Sequence, residues 1–205
     1  MLYPKINSVF LRNPDDNYKT FLWGEWADPV FGYLADLEWE WTEKVDGMNI
    51  RIEATEEGIT FGGRTDNTQI PASLMSVLDE IGTRATGLMN VILFGEGYGP
   101  KIQSGGDYRA DQGFILYDVF SDNPPRHWYP HVKVQQVAHL LGIPVVPIVG
   151  KGKLSAAIEQ TQRGFLSEVA EGRRQAEGLV MRPSVELHNH YGERVITKIK
   201  TKDFT

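Results

Sequence analysis

The chain reads as an α+β domain of antiparallel sheets with flanking helices, and three observations predict it. Short runs alternate apolar and polar residues with the period of two that half-buried strands require. Two of these runs, 49–55 and 59–63, are separated only by the turn Glu56-Glu57-Gly58, as in a hairpin. Stretches with apolar residues at helical spacing are interspersed among the strands rather than alternating regularly with them, which favours antiparallel sheets over a doubly wound parallel one.

The elements follow in order. Residues 1–37 are rich in aromatics, Asn and Asp and broken by Pro4, Pro14 and Pro29, so an irregular N-terminal segment packed on the domain is expected. Glu38 to Lys44 alternates as a half-buried strand. Asn49 to Thr55 places Ile50, Ile52 and Ala54 on one face and Asn49, Arg51 and Glu53 on the other. Ser73 to Arg84 carries Leu74, Val77, Leu78 and Ile81 at helical spacing, with Ser73 as the expected N-cap after Pro71. Val91 to Glu96 and Phe114 to Phe120 are apolar strands, separated by a polar loop from Pro100 to Gln112. His131 to Leu141 has helical periodicity and stops at Gly142. Pro144 to Val149 reads as a short strand, and Leu154 to Ala170 as a helix that Gly164 can split. Leu179–Arg182 and Arg194–Lys200 close the chain as strands.

The 205 residues suit a single domain spanning 1–205, with no repeat or linker and enough length for a real core. Hydrophobic content of 41% with 23% charged residues excludes a disordered chain. There are no cysteines, so disulfides and thiolate metal sites are excluded, in keeping with a reducing compartment. The N-terminus lacks an apolar signal core and no segment reaches membrane-spanning length, so a cytoplasmic protein with no membrane partner is expected, in the host cytoplasm if the chain is viral. A net charge of −6 argues against coating nucleic acid over the whole surface but leaves room for a local basic groove. Arg194, Lys198, Lys200 and Lys202 cluster near the C-terminal end.

Lys44-Val45-Asp46-Gly47 is the most informative tetrapeptide. It sets an amine at the exit of a strand, beside a carboxylate and a glycine that lets backbone approach a ligand. An amine so placed can serve as a covalent nucleophile once it has lost its proton. Lys198 and Lys200, two apart on a strand, point to the same face, which suits a pair that brackets phosphates. Glu96 ends an apolar strand among Gly95, Gly97 and Gly99, and Glu177 stands ahead of Gly178 and another apolar run. Each of these residues alone reads equally well as an ordinary surface charge. His188 and His190 lack a partner at metal-ligand spacing, and the five tryptophans read as packing residues.

The ordered series carries a resemblance. Glu43-Lys44-Val45-Asp46-Gly47-Met48-Asn49, then Arg64, Phe94-Gly95-Glu96-Gly97, Phe114-Ile115-Leu116-Tyr117-Asp118, Glu177-Gly178-Leu179-Val180-Met181-Arg182 and Thr197-Lys198-Ile199-Lys200 resemble, in sequence, motifs I, Ia, III, IIIa, IV and V of the covalent nucleotidyltransferases. Within that superfamily the chain is most similar to the nick-sealing RNA ligases of phages and of kinetoplastid RNA editing. Asp46 stands where some of that subgroup have histidine, and it fits DNA ligases and mRNA capping guanylyltransferases equally well.

The resemblance implies a nucleotidyltransferase (ATP-grasp-like adenylation) domain without a C-terminal OB or helical domain. It also implies an ATP-dependent RNA ligase that uses Mg²⁺ or Mn²⁺. Lys44 would form lysyl-AMP, AMP would pass to a 5′-phosphate, and a 3′-hydroxyl would displace it. By the same resemblance Glu43, Asn49, Arg64, Glu96, Phe114, Glu177, Lys198 and Lys200 bind nucleotide, with Glu96 on a ribose hydroxyl and Phe114 stacked on adenine. Lys198 and Lys200 assist catalysis, Glu177 holds the metal, and Asn49, Arg64 and Lys101 contact RNA. The implied partners are RNA ends, including those of a nicked duplex, and an accessory protein in place of the C-terminal domain. A DNA ligase, a capping enzyme and a non-catalytic nucleotide- or RNA-binding module on the same fold are the alternatives.

Overall fold

Apolar strand faces gather into clusters of buried residues, and the central strands are covered on both faces. The computed structural model describes residues 1–103 and 105–204. In chain order the elements are β1 (Asn7–Ser8), β2 (Phe10–Arg12), β3 (Phe21–Trp26), α1 (Pro29–Leu34), β4 (Trp39–Glu43), β5 (Met48–Thr55) and β6 (Gly58–Gly63). They continue as α2 (Ala72–Ala85), β7 (Val91–Tyr98), β8 (Gly113–Ser121), β9 (His127–Trp128) and α3 (His131–Leu141). The last are β10 (Ile148–Gly152), α4 (Leu154–Arg163), β11 (Gly178–Pro183) and β12 (Thr197–Lys200).

The chain divides into two compact units. One comprises Met1–Pro4, Val45–Val146 and Ala170–Gly172; the other comprises Lys5–Lys44, Pro147–Val169 and Arg173–Thr205.

In the first unit a five-stranded antiparallel sheet runs β6-β5-β7-β8-β9. Its inner face is the one the alternation predicts: Ile50, Ile52 and Ala54 of β5 join Leu93, Phe114, Leu116 and Val119. Against them pack Leu74, Leu78, Ile81 and Ala85 of α2 and Val134, Ala138 and Leu141 of α3. Full burial of each large aliphatic contributes about 1.5–3 kcal/mol, so these helix faces hold the sheet. On the outer face Ile92, Phe94 and Phe120 lie with Tyr3, Tyr117 and Trp128. α2 starts one residue earlier than predicted, at Ala72, and Pro71 occupies its N-cap without a side-chain bond. Ser73, the expected cap, instead donates its hydroxyl to Gln112 Oε1 at 2.7 Å.

In the second unit the sheet order is β1-β12-β11-β4-β10, with β1 parallel to β12 and the other pairs antiparallel. Trp39, Trp41, Leu179, Met181 and Ile199 pack beneath Leu154 and Ala157 of α4. All five residues of β4 are buried rather than every second one, because β11 and β10 flank it on both sides.

Residues 1–37 are more regular than their composition suggested. β1 extends the sheet, β2 and β3 pair with each other, and Asp28 caps α1 by accepting from the Val30 N–H at 3.0 Å, with Pro29 in the first turn. The stretch 144–149 makes a single parallel bridge, Leu116 with Val145, before β10 begins at Ile148. α4 ends at Arg163, ahead of Gly164, and does not resume towards Ala170. Among the described residues no helix is long and apolar enough to cross a membrane.

Candidate functional site

In the second unit, strand register brings distant charges together. β11 pairs with β4 on one side and with β12 on the other, aligning Leu179 with Glu43 and Gly178 with Lys200. The Lys44 N–H donates to the Gly178 carbonyl at 2.9 Å, and the Thr201 N–H donates to the Glu177 carbonyl at 2.8 Å. The residue leaving β4 and the residue entering β11 therefore stand side by side. Lys44 Nζ lies 2.5 Å from Glu177 Oε2, and Lys200 Nζ lies 2.6 Å from Glu177 Oε1. Gly178 makes this approach possible: a Cβ there would fall 2.1 Å from the Ile199 carbonyl oxygen.

One carboxylate thus sits between two ammonium groups, with its side chain only 13% exposed. Burial works to raise the Glu177 pKa, but the charge of Lys44 and the bonds from Lys200 and Lys44 outweigh it. The carboxyl is held below its ordinary value. Lys198 shares the face of Lys200, opposite Val180 on β11, as predicted.

Glu43, expected to contact nucleotide, is occupied elsewhere. It is 1% exposed and lies on the Trp39 and Trp41 side of β4. Its Oε1 accepts from the Ser167 hydroxyl and its Oε2 from the Glu168 N–H at 2.8 Å. Burial raises its pKa despite these bonds. It anchors the loop at 167–169, and nothing in the local sequence around it announces a partner more than a hundred residues away.

In the first unit, Glu96 of β7 and Asn49 of β5 are cross-strand partners, so both side chains project on the sheet's outer face. Asn49 Nδ2 donates to the Tyr117 hydroxyl. Phe114, expected to stack on a base, points to the opposite face: it is 2% exposed and belongs to the core with α2 and α3. Its ring covers Gly95, where a Cβ would meet Phe114 Cζ at 2.3 Å. The aromatic residue on the Glu96 side is Tyr117.

Arg64 is exposed in the bend after β6, and Lys101 is exposed in the loop after β7. Arg51, overlooked in the sequence, fixes the approach to that bend. Its Nη1 donates to the Gly63 carbonyl at 2.9 Å, its Nη2 pairs with Asp66 and its Nε with Glu53 at 3.0 Å. The Asp46 N–H donates to the Tyr108 hydroxyl at 3.1 Å.

Both oxygens of Glu177 are engaged by Lys44 and Lys200, so a divalent cation would have to displace one of those contacts to use the carboxylate as a hard oxygen ligand. No group of three or more His, Asp or Glu suited to an all-protein metal site occurs among the described residues.

The model of the RNA ligase family matches residues 37–200. No curated protein matches the chain. Solved structures of Naegleria gruberi RNA ligase share its fold. A mutant without ligand superposes with a TM-score of 0.67 at 17% identity, covering 98% of this chain and 57% of that one. A mutant with ATP and Mn gives 0.67 at 18%, covering 98% and 59%, and another with AMP and Mn gives 0.67 at 18%, covering 97% and 57%. The chain thus spans less than two thirds of the length of these ligases. With the family match extending from before β4 to the last residue of β12, and so over every motif in the series, the chain belongs to the RNA ligase family.

Proposed function

We propose that the chain is an ATP-dependent RNA ligase that works through a covalent lysyl-AMP intermediate. The observation that carries this reading is the Lys44–Glu177–Lys200 cluster, in which one amine stands at a strand exit beside a second amine and a single carboxylate. The unprotonated Nζ of Lys44 attacks the α-phosphorus of ATP. A P–N bond forms, the bond to the bridging oxygen breaks, and pyrophosphate leaves with its electron pair. Like other in-line displacements at phosphorus, this step needs positioning and charge neutralisation above all.

Lys198 and Lys200 present two positive charges on one strand face to the phosphates. Glu177 would hold Mg²⁺ or Mn²⁺, which when bound neutralises charge on the reacting phosphate. To reach phosphorus, Lys44 must release its contact with Glu177 and give up its proton. Glu96 would accept from a ribose hydroxyl. The adenylate would then pass to an RNA 5′-phosphate and be displaced by a 3′-hydroxyl.

The likeness of fold to ligases solved with ATP and Mn, and with AMP and Mn, supports the choice of nucleotide and of a divalent ion. Incubating the protein with labelled ATP, GTP or NAD⁺ and a divalent cation tests the reading. Label from ATP alone, abolished in Lys44→Ala, is the expected result. Label from GTP would make the chain a capping-type enzyme, and label from no nucleotide would overturn the proposal.

A further inference from the structure

β12 runs past its neighbour on one flank. β1 pairs with it only at Thr197 and Lys198, and the Lys198 carbonyl then accepts from the Val9 N–H at 3.0 Å. Two residues on, the backbone polar groups return to that same flank. No strand among the described residues meets the Lys200 N–H there. A side chain takes the strand's place: Asp203 Oδ2 accepts from the Lys200 N–H at 2.8 Å.

Asp203 lies in the 3₁₀ turn Thr201–Phe204 that follows β12. Its side chain is 3% exposed, and its other oxygen, Oδ1, accepts from Arg12 Nη2 at 2.6 Å. A buried carboxylate calls for a cation, and Arg12 supplies it. Arg12 is fixed from two further sides. Its Nη1 donates to the Lys19 carbonyl at 2.9 Å, and its guanidinium carbon stands 4.2 Å from the centroid of the Phe21 ring. Phe204 pins the turn, with its ring 5.0 Å from that of Trp23 and tilted by 32°. All these residues belong to the second unit, and none but Lys198 and Lys200 is in the motif series.

We infer that Asp203 is a positioning residue for Lys200, with Arg12 holding Asp203 in place. This deepens, and rests on, the ligase reading above. Lys200 Nζ stands 2.6 Å from Glu177 Oε1 and would face the phosphates. Its backbone is aligned with Gly178 of β11 on one flank and tied to Asp203 on the other. Such placement matters because an error of about 1 Å can cost about a hundredfold in rate.

The test is single-turnover formation of the nucleotide adduct at saturating ATP and Mg²⁺, reading both the rate constant and the fraction of protein that reacts. Asp203→Ala should lower the rate constant about tenfold and leave the reacting fraction near that of the wild type. In a Lys200→Ala background the same change should cost almost nothing further, a non-additive pair. Asp203→Asn keeps one acceptor oxygen, which serves Lys200 or Arg12 but not both, so its rate should fall between. Arg12→Ala should slow the step in the same Lys200-dependent way. Should Asp203→Ala fail to fold, Asp203→Asn and Arg12→Ala carry the comparison. A readout apart from the chemistry is hydrogen exchange at the Lys200 amide, followed by NMR. It should quicken by about tenfold in Asp203→Ala, the size expected for one lost hydrogen bond.

A wild-type rate constant in Asp203→Ala would overturn the inference. So would an equal loss with and without Lys200, or a fall in the reacting fraction alone, since either marks a merely structural contact. If the wild type takes no label from ATP, the ligase reading fails instead. Exchange at Lys200 then still decides whether Asp203 holds it, and an unchanged exchange rate would overturn that claim.

Discussion

Replacing Glu177 by glutamine keeps the side chain's shape and removes the charge that two lysines share. Unit charges about 4 Å apart interact by about 4 kcal/mol at an effective dielectric near 20. Two such contacts, at 2.5 and 2.6 Å between heavy atoms, meet on Glu177. Against them stand the desolvation of a mostly buried carboxylate and the partial exposure of both lysines, which recover hydration when the pair is broken. A net loss of about 2–3 kcal/mol remains. In a chain of this size each kcal/mol moves Tm by about 2–4 °C, so Glu177→Gln should melt roughly 4–12 °C below the wild type at pH 7.

The pH dependence has a definite sign. The Glu177 carboxyl is held below its ordinary value in the folded chain. Its stabilisation is therefore complete above the ordinary carboxylate range and drains away as the pH falls through the lowered value. Thermal unfolding followed by circular dichroism between pH 7 and pH 3 should show the two melting curves converging on the acid side. Equal Tm values at pH 7, or a gap that stays constant into acid, would refute the idea that one ionised carboxylate holds this cluster together.

Other changes test neighbouring parts of the account. Gly178→Ala forces a Cβ to within 2.1 Å of the Ile199 carbonyl oxygen and 2.7 Å of Lys200 Cα. Backbone cannot yield cheaply there, so urea unfolding should show a loss of about 3 kcal/mol or more. Glu43 has the opposite sign to Glu177: its raised pKa means that its contribution is present below the ordinary carboxylate range and lost as pH rises through the raised value. Glu43→Gln, which still accepts from the loop at 167–169, should therefore gain on the wild type as melts are taken from pH 4 to pH 8; an opposite trend would contradict the burial argument. Lys200→Ala and Lys198→Ala should each lower the yield of nucleotide adduct about tenfold or more in a gel assay. Lys200→Ala should have the larger effect, because Lys200 also touches Glu177.

Much of the fold could be read from local periodicity. β5 shows its two faces in the order Ile50, Ile52, Ala54 against Asn49, Arg51, Glu53, and α3 runs from His131 to Leu141 as its spacing implies. Lys198 and Lys200 share a face because a strand repeats every two residues. What local pattern could not supply was pairing. Lys44 and Glu177 meet only because β4 and β11 are neighbours, and Glu43 turns away from them because side chains alternate along that same strand. Phe114 and Tyr117 lie on opposite faces by the same alternation, but the irregular register at Tyr117, where Gly95 pairs with Leu116 and Phe94 with Asp118, depends on how β8 aligns with β7. The N-terminal segment reads as irregular because its strands span only two to six residues, too short for alternation to show.

Mass spectrometry of the intact protein after exposure to ATP and Mg²⁺, followed by peptide mapping, is the most direct measurement. Nucleophilic Lys44 predicts a gain of one AMP, located on the peptide that contains Lys44 and released by pyrophosphate. An unmodified mass, or an adduct on any other lysine, would contradict the claim.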